Sequence, residues 1–339
     1  MIARTSLSRF MIPIVAATCL LALAALTIAA LTTGEVSMSA ATALAAAVGF
    51  GDRGDVFVVQ EFRAPRLVAG VIAGAGLAAA GAVLQRLFRN PLASPDVIGV
   101  TGGASFGAVI VLAAGASQSA IPLAALAGGM FAALALGAIG WKSQLSTARL
   151  VLVGLAIQAG LAAAVNLVIV RFPKELAGSA MRWTAGSLYG RTWPEVSGAA
   201  IGCVLVMVLL YAQYRTLAVL DLGDDSAGAL GIGVDSARLR LLITAVAMAA
   251  LAVAISGPIV FVALAVPQIV RLLCGPPTPV TLAVTALAGA SLLVAADFTA
   301  QHLLPVHGLP VGVVTTTVGA PWLLWLLVRD SSPATRRTT

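Results

Sequence analysis

Three features of this chain could perform chemistry. Gly103-Ala-Ser105-Phe-Gly107 fits the G-x-S-x-G elbow that presents a nucleophilic serine. A hydrolase built on Ser105 needs a histidine at matching depth, and neither His302 nor His307 lies on a neighbouring span at that depth. Gly74-Ala-Gly76-Leu-Ala-Ala79 fits the G-x-G-x-x-A dinucleotide loop, but it sits inside an apolar run with no preceding strand. Asp297 is the one acid well inside an apolar stretch, where it reads either as a gate or proton site or as a carboxylate paired with a neighbouring helix. A P-loop requires Gly-Lys-Ser/Thr, yet the only lysines are Lys142, after Trp141, and Lys174, after Pro173. The chain cannot bind ATP by that motif. Cys19, Cys203 and Cys274 stand alone without metal-ligand spacing and read as small core residues. No catalytic set and no metal set emerges.

The elements that position these residues follow from composition. Of 339 residues, 60% are hydrophobic and only 10% charged, where a soluble domain carries about 25% charged residues. The long, continuously apolar runs exclude an outer-membrane barrel, whose strands alternate over about 10 residues. Candidate spans cover residues 10–33, 65–85, 97–116, 120–141, 150–170, 196–214, 239–256, 259–274, 280–303 and 309–328. The expectation is an all-α polytopic membrane protein of about ten transmembrane helices, forming a single permease domain over residues 1–339. The eighth span is short and holds Pro267, so it is expected to be broken or re-entrant. The first is too long for a signal-peptide core and reads as a retained helix.

An even number of spans puts both termini on one side. With the termini inside, 13 basic residues face the cytoplasm and 7 face outward, so cytoplasmic termini are expected. The net charge of +7 is scattered between spans, which points to topology rather than to nucleic acid. Residues 34–63 and 171–195 are then exterior, and the second carries Trp183 and Trp193, suited to a headgroup interface. Residues 215–238 lie inside. Within them, Leu220 to Gly231 reads as a short helix with Asp224 and Asp225 near its N-terminus and Gly231 as its cap, either docking to a partner or solvated as a loop helix. Gly70 with Gly74, and Gly99, Gly103 and Gly107 in succession, make G-x-x-x-G faces whose ordinary meaning is close helix packing.

A longer set of residues carries a family resemblance. It runs through Pro65-Arg66, Gly76, Gly81, Gln85, Arg89-Asn90-Pro91-Leu92-Ala93, Pro95, Gly99 and Gly102-Gly103-Ala104. It continues through Trp183 with Gly186-Ser187-Leu188, Leu222-Gly223 with Ala227 and Leu230-Gly231, and Gly257-Pro258-Ile259 with Phe261. Asp297, Leu309-Pro310-Val311-Gly312-Val313-Val314-Thr315 and Gly319-Ala320-Pro321 complete it. In this order, over residues 55–328, the set resembles the FecCD-type permease subunits of iron-siderophore and vitamin B12 ABC importers.

The resemblance implies a type II ABC importer permease of ten helices in the bacterial inner membrane. It works beside a second permease, above two ATPase subunits that hold the ATP and magnesium, and takes its cargo from an extracytoplasmic binding protein. No cofactor is then bound by this chain, and ferric siderophore, haem or cobalamin is the implied cargo. By the same resemblance Arg63 and Arg66 meet the binding protein, while Asn90, Leu92, Ser146 and Thr147 form the cytoplasmic gate. Gln158, Asn166, Thr315, Thr316 and Thr317 line the conduit, and Leu222, Gly223, Asp224, Asp225, Ala227, Leu230 and Gly231 couple to the ATPase. Three positions depart from the family pattern: Gln268 replaces a histidine, Gln301 an arginine and Gly308 a glutamate. A heterodimer could keep those groups on a second chain, so homodimer and heterodimer both stand. A reading of another class, a proton-coupled carrier using Asp297, also stands.

Overall fold

The computed structural model describes residues 2–117, 120–143, 147–172, 174–304 and 308–330. Among them the ordered elements are helical. In chain order they are α1 (Ile2–Thr32), α2 (Ala40–Ala47), α3 (Arg53–Phe57), a π-helical turn (Val58–Arg63), α4 (Ala64–Leu87), α5 (Val100–Ala113), α6 (Ile121–Ser143) and α7 (Thr147–Val170). There follow α8 (Lys174–Thr184), α9 (Trp193–Leu220), α10 (Asp224–Ala229), α11 (Val234–Ser256), α12 (Val262–Cys274), α13 (Pro279–His302) and α14 (Val311–Asp330). Seven of the apolar helices are long enough to cross a membrane, and α5, α12 and α14 are shorter apolar helices. Together these are the ten expected elements, in the expected order.

α4 is the hub, packed against α13, α11, α12 and α9. Its sequence explains why. Gly70, Gly74, Gly76 and Gly81 alternate with alanines around nearly its whole surface, and small residues let helices approach until backbone meets backbone. A Cβ on Gly74 would lie 2.4 Å from the Gly289 carbonyl oxygen on α13, and one on Gly289 would lie 2.3 Å from that of Gly74. Gly103 on α5 and Gly128 on α6 make the same reciprocal contact, at 2.2 and 2.1 Å. These glycines therefore serve packing, which leaves neither the dinucleotide loop nor the serine elbow a backbone of the required shape.

The eighth span resolves into two parts with a physical cause. Residues 257–261 are irregular, Phe261 has φ 73°, and only then does the 13-residue α12 begin. Pro267 lies inside that helix and lacks the N–H that would bond the Ala263 carbonyl. α4 supplies the missing donor: Gln85 Nε2 donates to the carbonyls of Ala263 (3.4 Å) and Leu264 (3.0 Å). One turn earlier on α4, a Cβ at Gly81 would fall 1.8 Å from the Ala263 oxygen. Gly81→Ala is therefore expected to push α4 off α12 and lower the thermal midpoint of the purified complex, at an overpacking cost of about 1–3 kcal/mol. An unchanged midpoint would show that the two helices can part freely.

The two segments expected outside the membrane also contain helices among their described residues. Residues 34–63 contain α2 and α3, and 171–195 contain α8. Trp183 departs from the interface expectation, because it is buried in the main core. Its carbonyl lies 2.5 Å from where a Cβ on Gly257 would sit, and Gly186 meets the Pro258 oxygen in the same way at 2.4 Å. Ser187 N–H donates to the Ser256 carbonyl (2.8 Å) and Gly312 N–H to that of Gly186 (3.1 Å). Three segments far apart in sequence thus tie into one knot at the ends of α8, α11 and α14.

Candidate functional site

A cavity of about 500 Å³ runs beside α5, α7 and α14. α7 contributes Gln158 and Asn166, and α14 contributes Thr316 and Thr317. The spacing dictates this: Gln158 and Asn166 lie eight residues apart, close to two turns and a little over, so they share one face of α7. Gln158 is fixed by accepting the Gly102 N–H on Oε1 at 2.9 Å. Thr316 and Thr317 donate to the carbonyls of Gly312 (2.7 Å) and Val313 (2.9 Å) in their own helix. Thr315 is buried, donates to the Gly312 carbonyl at 3.0 Å, and lies outside the lining of this cavity.

Among the lining residues that the family motifs do not single out are Asp96, Thr101 and Ser105. The signal in the sequence is an acid wedged between Pro95 and the apolar run that starts at Val97. Asp96 lies in the connector between α4 and α5, outside both helices. Its Oδ1 and the neighbouring Thr101 Oγ1 are both closed off from solvent. Burial pushes the Asp96 carboxyl up from its ordinary value to about 6, and the nearby Thr101 hydroxyl and the backbone at Asp96 offset only part of that.

Asn90 and Leu92, the expected gate residues, form a tight turn directly after α4. Asn90 Oδ1 accepts the Leu92 N–H at 2.9 Å, and Asn90 N–H donates to the Gln85 carbonyl at 3.0 Å. Gln268 Nε2 donates to Gln85 Oε1 (2.6 Å) and to the Pro91 carbonyl (3.4 Å), so the residue standing where the resemblance expects a histidine binds α12 to the Asn90–Leu92 turn. Ser146 lies outside the described residues; Thr147 opens α7.

The segment expected to couple to an ATPase follows α9. α10 begins after Gly223 and is closed by Gly231 at φ 80°, with Ile232 N–H donating to the Ala227 carbonyl at 3.0 Å. Ala227 is buried against the bundle, whereas Leu222 and Leu230 are 65% and 64% exposed. Asp224 turns back to form a two-pronged ion pair with Arg238 at the start of α11, at 2.7 and 3.0 Å. Asp225 is exposed. Just before α10, Asp221 pairs with Arg86 of α4, whose guanidinium also lies over the Tyr214 ring, and Arg89 Nη2 donates to the Leu220 carbonyl at 2.9 Å.

At the other end of the bundle, Arg63 Nη1 and Nη2 donate to the carbonyls of Leu31 and Val36, which pins the loop after α1. Arg66 meets Asp297 of α13 through two hydrogen bonds of 2.9 Å each, and both side chains are mostly buried. Gln301 Nε2 donates to Asp297 Oδ2 at 2.7 Å. The residue standing where the family has an arginine thus completes the Asp297 cluster. Among the described residues no group of His, Cys, Asp or Glu is arranged to hold a metal ion.

Comparison with known proteins gives this arrangement its context. Residues 20–329 match the FecCD transport family. The chain is 38% identical to the ferric enterobactin transport system permease protein FepG of Escherichia coli, over 93% of this chain and 96% of that one. It is 41% identical to the vitamin B12 import system permease protein BtuC of Vibrio cholerae, over 80% and 83% of the two chains. A solved metal-chelate type ABC transporter in an inward-facing conformation superposes with a TM-score of 0.82 at 28% identity, covering 94% of this chain and 99% of that one. A match spanning almost the whole chain shows that it belongs to the FecCD transport family of ABC importer permeases.

Proposed function

We propose that the chain forms one half of the membrane conduit of an inner-membrane importer for a ferric siderophore or related oxygen-rich iron chelate. The observation that carries this reading is the cavity in which Gln158, Asn166, Thr316 and Thr317 meet, a polar wall inside an otherwise apolar bundle. A chelated ion is held through its ligand shell, so hydrogen-bonding side chains suit such cargo and protein metal ligands are not needed. The excess of arginine at the ends of α4 and α9 and near α10 supports cytoplasmic termini.

The motor is a pair of separate ATPase subunits, which carry the ATP and magnesium, and a second permease, identical or paralogous, closes the conduit. Leu222 and Leu230 support the ATPase assignment, because they are large apolar side chains exposed on a segment between membrane helices rather than within one. An extracytoplasmic binding protein delivers cargo at the end marked by Arg63 and Arg66. ATP-driven closure of the ATPases moves α10, and the bundle alternates between outward and inward access.

The test is reconstitution. Proteoliposomes holding the chain with its co-purified partners are expected to accumulate the iron chelate only with ATP and binding protein present. Asn166→Trp, which fills the cavity without touching α10, is expected to reduce uptake by at least about tenfold, a barrier of about 1.4 kcal/mol, while leaving ATP hydrolysis in place. Accumulation by the chain alone, or full uptake through Asn166→Trp, would overturn the reading.

A further inference from the structure

A second cavity, of about 390 Å³, opens where the ends of α4, α9, α12 and α13 meet. Its size falls within the range of about 300–1,000 Å³ usual for small-molecule sites. Its charge is lopsided. Three guanidiniums line it, those of Arg86, Arg89 and Arg271, against a single carboxylate, Asp221, which Arg86 already engages. Arg89 and Arg271 are left with no counter-charge among the lining residues, and both are exposed. Arg89 gives one N–H to the Leu220 carbonyl, and the Arg271 side chain has no partner among the described residues. Asn90 Oδ1 accepts the Leu92 N–H, which leaves its Nδ2 free to donate. The backbone shows that an arginine at position 89 is kept against a local preference. It follows the C-cap of α4 at φ 48°, in the left-handed region where helix ends usually place glycine.

We propose that this cavity binds the phosphate of an anionic phospholipid from the adjoining leaflet, held by Arg89 and Arg271. A guanidinium presents paired N–H donors that match phosphate oxygens, and basic pockets between membrane helices at the cytoplasmic side suit anionic headgroups. Inorganic phosphate shares that chemistry. The surroundings favour the lipid. Directly after Arg271, Leu272 and Leu273 are 59% and 44% exposed, and Val280 in the first turn of α13 is 54% exposed. Large apolar side chains exposed at the ends of membrane helices mark contact with acyl chains, so the basic lining lies beside the place where a lipid's apolar part would rest. Ala82, Val270 and Leu282 give the cavity an apolar wall of its own. A bound headgroup would tie the end of α4, next to the Asn90–Leu92 turn, to α12 and α13. The inference needs only that the bundle spans a membrane, and it is independent of what passes through the conduit.

The experiment is native mass spectrometry of the complete detergent-purified transporter, with its co-purified partners attached, titrated with phosphatidylglycerol or phosphatidylcholine. The wild type is expected to bind phosphatidylglycerol at least about fivefold more tightly than phosphatidylcholine. Arg271→Gln removes no hydrogen bond within the described residues and is expected to weaken phosphatidylglycerol binding about fivefold. Arg240→Gln makes the same charge change at an exposed arginine of α11 outside the cavity lining, and should leave binding within about twofold of wild type. In wild-type transporter in nanodiscs, a phosphatidylglycerol carrying a photoactivatable headgroup is expected to crosslink within residues 86–91 or 270–285. Equal losses in the two variants would reveal only the general attraction of a basic face and would overturn the site, as would crosslinks confined to other segments. Displacement of the lipid by millimolar inorganic phosphate would overturn the lipid assignment in favour of a free anion. If Arg271→Gln releases the ATPase while lipid binding stays unchanged, Arg271 faces the motor and the proposal falls.

Discussion

Asp221→Ala is expected to leave a folded transporter that hydrolyses ATP but imports about tenfold less per ATP, a coupling loss of about 1.4 kcal/mol that lies within the usual range for linked sites. The reason is where the residue sits. Asp221 closes α9 just before α10, and its partner Arg86 lies in the last turn of α4, three residues before Arg89 and four before Asn90, the proposed gate residue. Arg89 grips the Leu220 carbonyl from the same helix end. A push on α10 therefore reaches the Asn90–Leu92 turn through two direct contacts, without passing through the bundle. Asp221 is 39% exposed but Arg86 only 13%, so the acid's removal also costs some stability, and uptake is therefore normalised to folded transporter and compared at temperatures well below the variant's thermal midpoint. Measuring uptake and ATP hydrolysis on the same proteoliposomes gives the ratio. Exchanging the charges, Arg86→Asp with Asp221→Arg, should recover part of the coupling. Wild-type stoichiometry in Asp221→Ala would show that force reaches the gate by another route.

Much of this architecture was legible before any coordinates, and the physical reason differs by feature. Ten apolar stretches could be read because a membrane helix must be apolar all round over its whole length, a constraint with no long-range component. α5 and α12 were placed correctly but drawn too long, since an apolar irregular segment such as 257–261 has the same composition as the helix it precedes. The glycine faces declared close packing, but not which helices would pair. Gly74 with Gly289 and Gly103 with Gly128 are matches between distant segments. Trp183 shows the limit most clearly: a tryptophan beside an apolar span looks the same in sequence whether it floats at a headgroup boundary or fills a core.

The conduit positions came from family motifs rather than from spacing, and the structure adds what motifs omit. Asp96 is one residue past Pro95 of the motif, and its complete enclosure is a property of the three-dimensional fold. The glutamines are similar. Gln85 and Gln268 stand 183 residues apart in sequence and hydrogen-bond to each other. Their purpose appears only when Pro267, Ala263 and the gate turn are seen around them. Departure from a family pattern at Gln268 and Gln301 is therefore compensated within this chain at both places.

The largest loss of stability is expected from Asp297→Ala. The carboxylate accepts two hydrogen bonds from Arg66 and one from Gln301, and the two charged side chains are only 17% and 11% exposed. Removing the acid leaves a mostly buried guanidinium without its counter-charge, which costs about 3–5 kcal/mol, whereas replacing both members with apolar side chains of similar volume is often nearly neutral. Arg66→Met with Asp297→Leu should accordingly be more stable than Asp297→Ala alone, a non-additivity that a double-mutant cycle on thermal midpoints will measure. The same site separates the importer from a proton-driven carrier. The two hydrogen bonds from Arg66 give Asp297 a structural role, so Asp297→Asn, normalised to folded protein, should retain ATP-dependent uptake, because the amide oxygen can still accept from Arg66. If uptake vanishes in well-folded Asp297→Asn while ATP hydrolysis continues unchanged, Asp297 is moving protons and the division of labour between permease and ATPase has to be redrawn.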